Sequence, residues 1–148
     1  MAAFFLGIGI LFALLKNQID LSSIKESLIA KENLTKSNCL FVFAYIIIVN
    51  SFLEESFFRG FFYSLFENKK VGAVISGLVF SLYHIGIVIT WFNPFVFALC
   101  IIGLAIVGMF LQWLSSKYQS IMASWITHAC ANIAINTIGA LMIFGVLS

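Results

Sequence analysis

Four long apolar runs, each bounded by polar residues, dominate the hydropathy pattern of this 148-residue chain. They cover residues 39–66, 71–92, 94–114 and 119–147. At about 1.5 Å of rise per residue, each run is long enough as a helix to cross a hydrocarbon core about 30 Å thick. None shows the alternation of polar and apolar positions that a membrane-spanning strand needs. The pattern therefore predicts an all-α transmembrane bundle with four full spans.

Polar clusters and one proline place the turns between these spans. Residues 67–70 form one polar turn, and Lys117 marks another. Residues 71–116 contain no Asp, Glu, Lys or Arg and are too long for a single crossing. We place the break at Pro94, because proline disfavours helix in the residue before it and begins a new helix well.

The N-terminal quarter is less regular. Residues 1–15 are apolar but reach only about 22 Å as a helix, so they predict a partial or tilted first helix, or the end of a longer segment. Residues 16–38 mix four Lys, one Asp and two Glu with apolar positions, which is typical of an interfacial loop or an amphipathic helix. The apolar side of such a helix would consist of Leu21, Ile24, Leu28 and Leu34.

The composition excludes several classes of protein. Apolar residue types make up 62% of the chain and charged types only 9%, against about 25% charged residues in an average soluble domain. So few charges cannot cover the surface of a small soluble protein. A nucleic-acid-binding module, which needs clustered Lys and Arg, is excluded as well. The three cysteines lie in apolar runs without metal-ligand spacing and are expected to be buried free thiols.

Three ionisable residues, Glu54, Glu55 and Arg59, lie inside the first long span. Each costs about 2.5–3.5 kcal/mol near mid-membrane on insertion scales, so three in one helix need a specific role. Glu55 and Arg59 are four residues apart in the favoured order for an ion pair, which could serve structure alone. Glu54 has no local cation and lies on the same side of the helix as Asn50.

Two histidines and an asparagine reach a similar depth on other spans. Counted along the helices from the turns at 67–70 and Lys117, Glu54 and His84 each lie about 20 Å from that membrane face. Asn132 lies at about 20 Å and His128 one turn nearer, at about 14 Å. A single membrane histidine can be a packing residue, but this alignment predicts a shared polar site. We expect a carboxyl oxygen of Glu54 within about 4–6 Å of a ring nitrogen of His84.

These residue types together suit hydrolysis of a peptide bond. A carboxylate and an imidazole can activate water as a general base, while a second imidazole and an amide can stabilise the oxyanion of a tetrahedral intermediate. Alternatively, Glu54, His84 and His128 could hold a zinc ion with an open position for water. The different depth of His128 favours the metal-free arrangement. The zinc helix motif HExxH does not occur, and Asp20 is the only aspartate, which excludes an aspartyl dyad.

Three short motifs follow one another on separate predicted helices. They read Glu54-Glu55-Ser56-Phe57-Phe58-Arg59, Phe80-Ser81-Leu82-Tyr83-His84 and His128-Ala129-Cys130-Ala131-Asn132. They resemble the EExxxR, FxxxH and HxxxN signatures of the CPBP family, the CAAX-protease and bacteriocin-processing membrane proteins that are also called the Abi family. The resemblance covers roughly residues 40–136. We therefore expect residues 1–148 to form a single membrane-embedded protease domain.

The resemblance implies an intramembrane endopeptidase. In the family, the residue matching Glu54 acts with the one matching His84 to activate water, and those matching His128 and Asn132 stabilise the oxyanion. The ion pair in the first motif supports the site. The family is often labelled metalloprotease, yet a metal-free glutamate mechanism has been argued for it, so zinc stays a possible cofactor.

The type of organism and the class of substrate can be inferred from the branches of this family and from the composition of the chain. Eukaryotic relatives remove the last three residues of prenylated CAAX proteins, and bacterial relatives include bacteriocin-immunity and peptide-processing proteins. Seven Lys against one Arg, with much Ile, Phe and Asn, indicate an AT-rich bacterial genome. We therefore expect a multi-pass protein of a bacterial cell membrane. Its substrate would be a peptide or membrane protein without a prenyl group.

A second class of function stays open at this point. The protein could be a non-proteolytic scaffold or regulator that binds a sensor kinase, a transporter or a bacteriocin receptor. Its polar cluster would then only hold the helices together. The complete set of motifs favours the enzyme, because a scaffold need not keep Glu54 beside an intact Glu55–Arg59 pair.

Overall fold

The computed structural model describes residues 6–7, 9–10, 19–89 and 91–147. From residue 19 onward, the described residues form helices α1 (Leu21–Glu32), α2 (Cys39–Phe62), α3 (Lys69–Val88), α4 (Pro94–Tyr118) and α5 (Ile121–Phe144). Helices α2 to α5 are each long and apolar enough to cross a membrane. The predicted four-span bundle is therefore confirmed, and the protein is a multi-pass integral membrane protein. The helix predicted at 1–15 lies largely outside the described residues.

Capping residues determine where the spans begin and end. The observed ends lie within a few residues of the predicted ones. The side chain of Asn68 accepts hydrogen bonds from two backbone N–H groups in the first turn of α3. Asn93 caps α4 in the same way, directly before Pro94. Helix α4 ends where Gln119 adopts a left-handed φ of 50°, so Lys117 lies in its last turn rather than beyond it.

Polar side chains lie inside the bundle and large apolar ones lie outside. Phe41 and Leu40 expose 79% and 65% of their surface, whereas Glu55 exposes none. In a lipid solvent this distribution is the stable one, because buried polar groups find partners only inside the protein. The buried polar residues are Ser51, Glu54, Glu55, Arg59, Ser76, Ser81, Gln112, Ser115, Ser124 and His128.

Glycine allows α3 and α4 to pack closely at mid-bundle. A Cβ atom added at Gly108 would lie 2.9 Å from Cα of Gly77 and 3.1 Å from the carbonyl oxygen of that residue. Small residues let membrane helices approach in this way, where no hydrophobic effect draws them together. The contact brings the backbone of α4 to the polar side of α2, where Arg59 lies.

Helix α2 departs from the α-helical pattern in two π-helical stretches, Ile46–Asn50 and Ser56–Phe62. Such turns leave carbonyl groups available and are frequent near functional sites. The indole N–H of Trp125 on α5 donates to a carbonyl in the first stretch, and the hydroxyl of Ser76 on α3 donates to one in the second. The stretches flank the short α-helical segment that carries both glutamates.

Helix α1 lies at the end of the bundle where α2 begins and α5 ends. Its Ile24 is buried, and Leu34, just beyond its end, packs in a core cluster with residues of α2 and α5. The indole N–H of Trp91, in the link from α3 to α4, donates to Ser27 Oγ at 3.1 Å. These contacts agree with the predicted apolar side of this segment, and its position at the membrane interface stays a prediction.

Candidate active site

Glu54 is oriented by the preceding turn of its own helix. The side-chain amide of Asn50 donates to Oε1 of Glu54 at 2.6 Å, and Glu54 is 8% exposed. Its second oxygen, Oε2, makes no hydrogen bond to any described residue. A buried carboxylate oxygen without a partner is costly unless it meets water, a proton or a ligand. This oxygen is therefore available for chemistry.

Both histidines converge on the free oxygen of Glu54. Nε2 of His84 and Nε2 of His128 each lie 3.8 Å from Oε2 of Glu54. This distance is too long for a direct hydrogen bond but suits a shared water molecule. Glu54 and His84 are close together as expected, and their distance of 3.8 Å is slightly below the lower end of the predicted range. The structure thus brings α2, α3 and α5 together at one point.

Residue counting placed His128 one turn nearer the membrane face than Glu54 and His84, yet its Nε2 lies as close to Oε2 of Glu54 as that of His84 does. Residue counting assumes straight α-helices of equal tilt, whereas α2 contains two π-helical stretches. Glutamate and histidine side chains also extend several ångströms from their backbone. The depth difference therefore no longer distinguishes a metal-free site from a metal site.

A backbone carbonyl sets the orientation of the His84 ring. Nδ1 of His84 lies 2.8 Å from the carbonyl oxygen of Phe80. A carbonyl only accepts hydrogen bonds, so Nδ1 carries the proton and Nε2 of the neutral ring presents a lone pair towards Glu54. His84 occupies the point where α3 is interrupted, between Lys69–Tyr83 and Ile85–Val88.

Glu55 connects the ion pair of α2 to the histidine of α5. Its Oε1 lies 3.1 Å from Nη1 of Arg59 and 2.9 Å from Nδ1 of His128. Because the carboxylate accepts the Nδ1 proton, Nε2 of His128 faces Glu54. The predicted Glu55–Arg59 pair is present. The contact with His128 was missed, because no spacing rule relates residues 73 positions apart.

Arg59 and the aromatic ring of Phe80 fill the space behind the site. Arg59 is 3% exposed, and its Nη2 donates to the carbonyl oxygen of Gly108 at 3.2 Å. Its guanidinium carbon lies 4.4 Å from the centre of the Phe80 ring, within the range of a cation–π contact. The same ring also packs against His84 and His128. The sequence signal for this packing was the position of Phe80 in the FxxxH motif, four residues before His84.

Asn132 lies one helical turn after His128 on α5 and is half-buried. Its side chain makes no hydrogen bond to the residues that the structure describes, so its amide is available to a ligand. The predicted role of Asn132 as an oxyanion donor stays a prediction.

The donor atoms of the site are spread too widely to hold zinc as they stand. Tetrahedral zinc with bonds near 2.1 Å places its ligand atoms about 3.3–3.5 Å from one another. Oε2 of Glu54 is 3.8 Å from each histidine nitrogen, and no three His, Cys, Asp or Glu residues among those described have metal-site geometry. A metal at Glu54, His84 and His128 would require the three side chains to draw together.

Comparison with known proteins places this site in a family. Residues 36–134, about two thirds of the chain, match the model of the type II CAAX prenyl endopeptidase Rce1-like family. The chain is also 29% identical over 80 residues to the UPF0177 protein YxdF of Lactococcus lactis subsp. lactis, a match that covers 54% of this chain. The chain spans about 40% of the length of that relative. No solved structure matches the chain significantly.

The family match includes all three motifs and both histidines of the site. It confirms the resemblance predicted from the sequence. The chain belongs to the type II CAAX prenyl endopeptidase Rce1-like family.

Proposed function

We propose that this protein is an intramembrane endopeptidase in which Glu54 and His84 activate water for attack on a peptide bond. The observation that carries the proposal is the free Oε2 of Glu54, at 3.8 Å from both histidine Nε2 atoms. Membership of an endopeptidase family supports the same assignment. A water bound at this point would donate one hydrogen to the carboxylate and the other to His84.

In the proposed reaction, the water oxygen attacks the carbonyl carbon while its proton moves to Glu54. The carbonyl oxygen becomes an oxyanion. When the tetrahedral intermediate collapses, the C–N bond breaks and Glu54 returns the proton to the leaving amine. The carboxylate of Glu54 is thus restored, and the products are a carboxylic acid, which keeps the second proton of the water, and an amine. His84 holds the water through its Nε2 lone pair, and the carbonyl of Phe80 keeps its ring in that orientation.

We assign stabilisation of the oxyanion to His128 and Asn132. His128 donates from Nε2 when it carries a proton on both nitrogens, and the carboxylates of Glu54 and Glu55 lie on either side of its ring as counter-charges. The amide of Asn132, one turn along the same helix, supplies the second donor. Removing one such donor typically lowers kcat about 10²–10³-fold. Glu55 and Arg59 act as positioning residues.

The substrate that we propose is a peptide or a membrane-protein segment, cleaved in the cell membrane of a bacterium. The relative from Lactococcus lactis supports a bacterial setting. Within that setting, we propose peptide processing or self-immunity to a bacteriocin as the role. We propose that the substrate needs no prenyl group, because the setting is bacterial.

Cleavage by the purified protein in liposomes tests the proposal. An internally quenched CAAX-type peptide would be offered with and without a farnesyl group. We expect wild type to cleave both, Glu54→Ala to cleave neither, and Thr137→Ala, on the exposed side of α5, to match wild type. Glu54→Ala with wild-type activity would refute the mechanism. If wild type cleaved no peptide, a non-proteolytic scaffold would explain the protein better.

A separate measurement addresses zinc. The proposed reaction uses the carboxylate of Glu54 as a base, so we expect activity to survive treatment with a chelator. Stoichiometric zinc in active protein, with activity lost to the chelator and restored by zinc, would make Glu54, His84 and His128 metal ligands instead.

A further inference from the structure

A polar cavity of about 370 Å³ opens behind the candidate active site, at the membrane face that carries the α2–α3 and α4–α5 turns. Nine described residues line it, and eight of them are polar or charged. Lys69 and Gln119 are exposed and mark its mouth, while Arg59 and Gln112 are buried and mark its inner end. The cavity thus leads from the membrane surface to the ion pair behind His128.

Arg59 connects this cavity to the active site. It lines the cavity together with Gln112 and is ion-paired with Glu55, whose Oε1 contacts His128. Every buried side-chain nitrogen or oxygen that lacks a hydrogen-bond partner among the described residues belongs to Glu54, Glu55, Arg59 or Gln112. Four of these atoms are Nε of Arg59, Oε1 of Gln112 and the Oε2 atoms of the two glutamates. Such atoms are stable in a protein interior when ordered water bonds to them.

The chemistry of the walls identifies water as the occupant. A cavity with polar walls inside a membrane protein is stable when it is hydrated, because the lining groups otherwise lack partners. Its free groups include donors on Arg59 and an acceptor on Gln112, and water satisfies both kinds. Ile121 is the one residue of apolar type in the lining.

We propose that this cavity supplies the hydrolytic water to Glu54 from the membrane face with the two turns. Gln112 and Arg59 pass the water from the cavity to the carboxylates of α2. Use of the water rests on the proposed endopeptidase function, whereas hydration of the cavity does not. The two parts can therefore be tested separately.

Cysteine labelling in liposomes tests hydration without reference to catalysis. A charged methanethiosulfonate reagent is added to Ser116→Cys, on the cavity wall, and to Thr137→Cys, which faces away from it. The unmodified chain, with its own three cysteines, gives the blank. We expect Ser116→Cys to react and Thr137→Cys to stay at the blank level. An unreactive Ser116→Cys would overturn the proposal even if wild type cleaves peptide.

Removing the polar atoms at the inner end of the cavity tests whether the cavity supplies water to Glu54. Gln112→Leu keeps the size of the side chain but removes its polar atoms, and we expect kcat to fall about tenfold or more with KM unchanged, since water rather than peptide is withheld. Ser115→Val, nearer the mouth, should act in the same direction. Phe110→Leu, on the exposed side of α4, is the control.

The outcomes separate the two hypotheses. Wild-type kcat in folded Gln112→Leu and Ser115→Val would overturn the supply of water through the cavity and leave the endopeptidase intact. Reactive Ser116→Cys together with full activity in Glu54→Ala would refute the endopeptidase mechanism while the cavity remains hydrated. Thermal unfolding of each variant identifies those that lose activity because they do not fold.

Discussion

One oxygen atom, Oε1 of Glu55, contacts side chains from two helices. It accepts the Nδ1 proton of His128 and lies 3.1 Å from the guanidinium of Arg59. The Oε2 atom of Glu54, the neighbouring residue, instead faces Nε2 of His84 and Nε2 of His128 at 3.8 Å. Two adjacent glutamates therefore have different tasks, because a rotation of about 100° per residue turns them towards different partners.

The free oxygen of Glu54 leads to the first prediction. Glu54→Gln keeps the shape of the side chain and an acceptor for Asn50, but it loses the base. We expect cleavage to fall at least about 10²-fold, while the free energy of unfolding changes by less than about 1 kcal/mol. Peptide cleavage and thermal unfolding in detergent measure the two effects on one preparation.

The contacts of Glu55 Oε1 with Arg59 and His128 predict that replacing Glu55 lowers stability as well as cleavage. Glu55→Gln leaves Arg59 as an unpaired buried charge, which costs about 3–5 kcal/mol, and it also weakens the hold on His128. We expect a large loss of stability together with reduced cleavage. Glu67→Gln, at an exposed glutamate in the α2–α3 turn, should change neither. A stable but inactive Glu55→Gln beside an unfolded Glu54→Gln would show that the two roles are exchanged.

Residue spacing predicted that Glu54 and His84 lie close together, but it did not predict all the contacts of the candidate site. Helical periodicity placed Asn50 with Glu54 and Glu55 with Arg59, and both pairs are present. The contact between Glu55 and His128, and the packing of Phe80 against three site residues, depend on how separate helices approach one another. That approach is decided by glycines and π-helical turns, whose effect on geometry a one-dimensional pattern does not contain.

At the scale of elements, the glycine contact between α3 and α4 governs how closely Arg59 approaches its acceptor. Gly108 both packs against Gly77 and offers its carbonyl to Arg59. The order and type of the elements followed from the sequence, because the apolar runs and the capping residues are local signals. The π-helical stretches of α2 did not, since their carbonyls bond to side chains on other helices.

A pair of alanine variants on one helix tests this contact. Gly108→Ala places a Cβ atom 2.9 Å from the backbone of Gly77, which cannot move aside cheaply. We expect a loss of about 1–3 kcal/mol in the free energy of unfolding and a drop in activity. Gly103→Ala meets no atom within 4 Å and should be neutral or slightly stabilising. Equal stability of the two variants would mean that α3 and α4 are farther apart.

The cap of α1 predicts a dependence on pH. The hydroxyl of Ser22, followed by that of Ser23, donates to the carboxylate of Asp20 and lowers its pKa from 3.8 to about 2. The cap is therefore at full strength above the unfolded pKa, near 4, and is lost as the pH falls through about 2. Hydrogen exchange at the Ser22 and Ser23 amides should accelerate over this range. Asp20→Asn keeps the acceptor and should remove the pH dependence.

For the whole molecule, the order of the four spans fixes which turns share a membrane face. The α2–α3 and α4–α5 turns lie at one end of the bundle, and α1 lies at the other, near the α3–α4 link that it contacts through Trp91.

Labelling in sealed vesicles tests this arrangement. Lys70→Cys and Gln119→Cys should react with an impermeant maleimide from the same side, and Ser37→Cys should react from the opposite side. The native cysteines are buried or half-buried, so the unmodified chain gives a low background. Reaction of Lys70→Cys and Gln119→Cys from different sides would contradict the four-span arrangement.

The long sequence separation within the site has a consequence for biosynthesis. Helix α2 carries three ionisable side chains, each costing about 2.5–3.5 kcal/mol in lipid. Besides the partners that they find within α2, these side chains have partners on helices that are made later. His128 follows Glu55 by 73 residues, and Gly108 follows Arg59 by 49. Until the ribosome has completed α5, the charges of α2 are only partly compensated. Completion of α5 therefore stabilises the insertion of α2, and we expect a nascent chain that is stopped before α5 to be more sensitive to quality-control proteolysis.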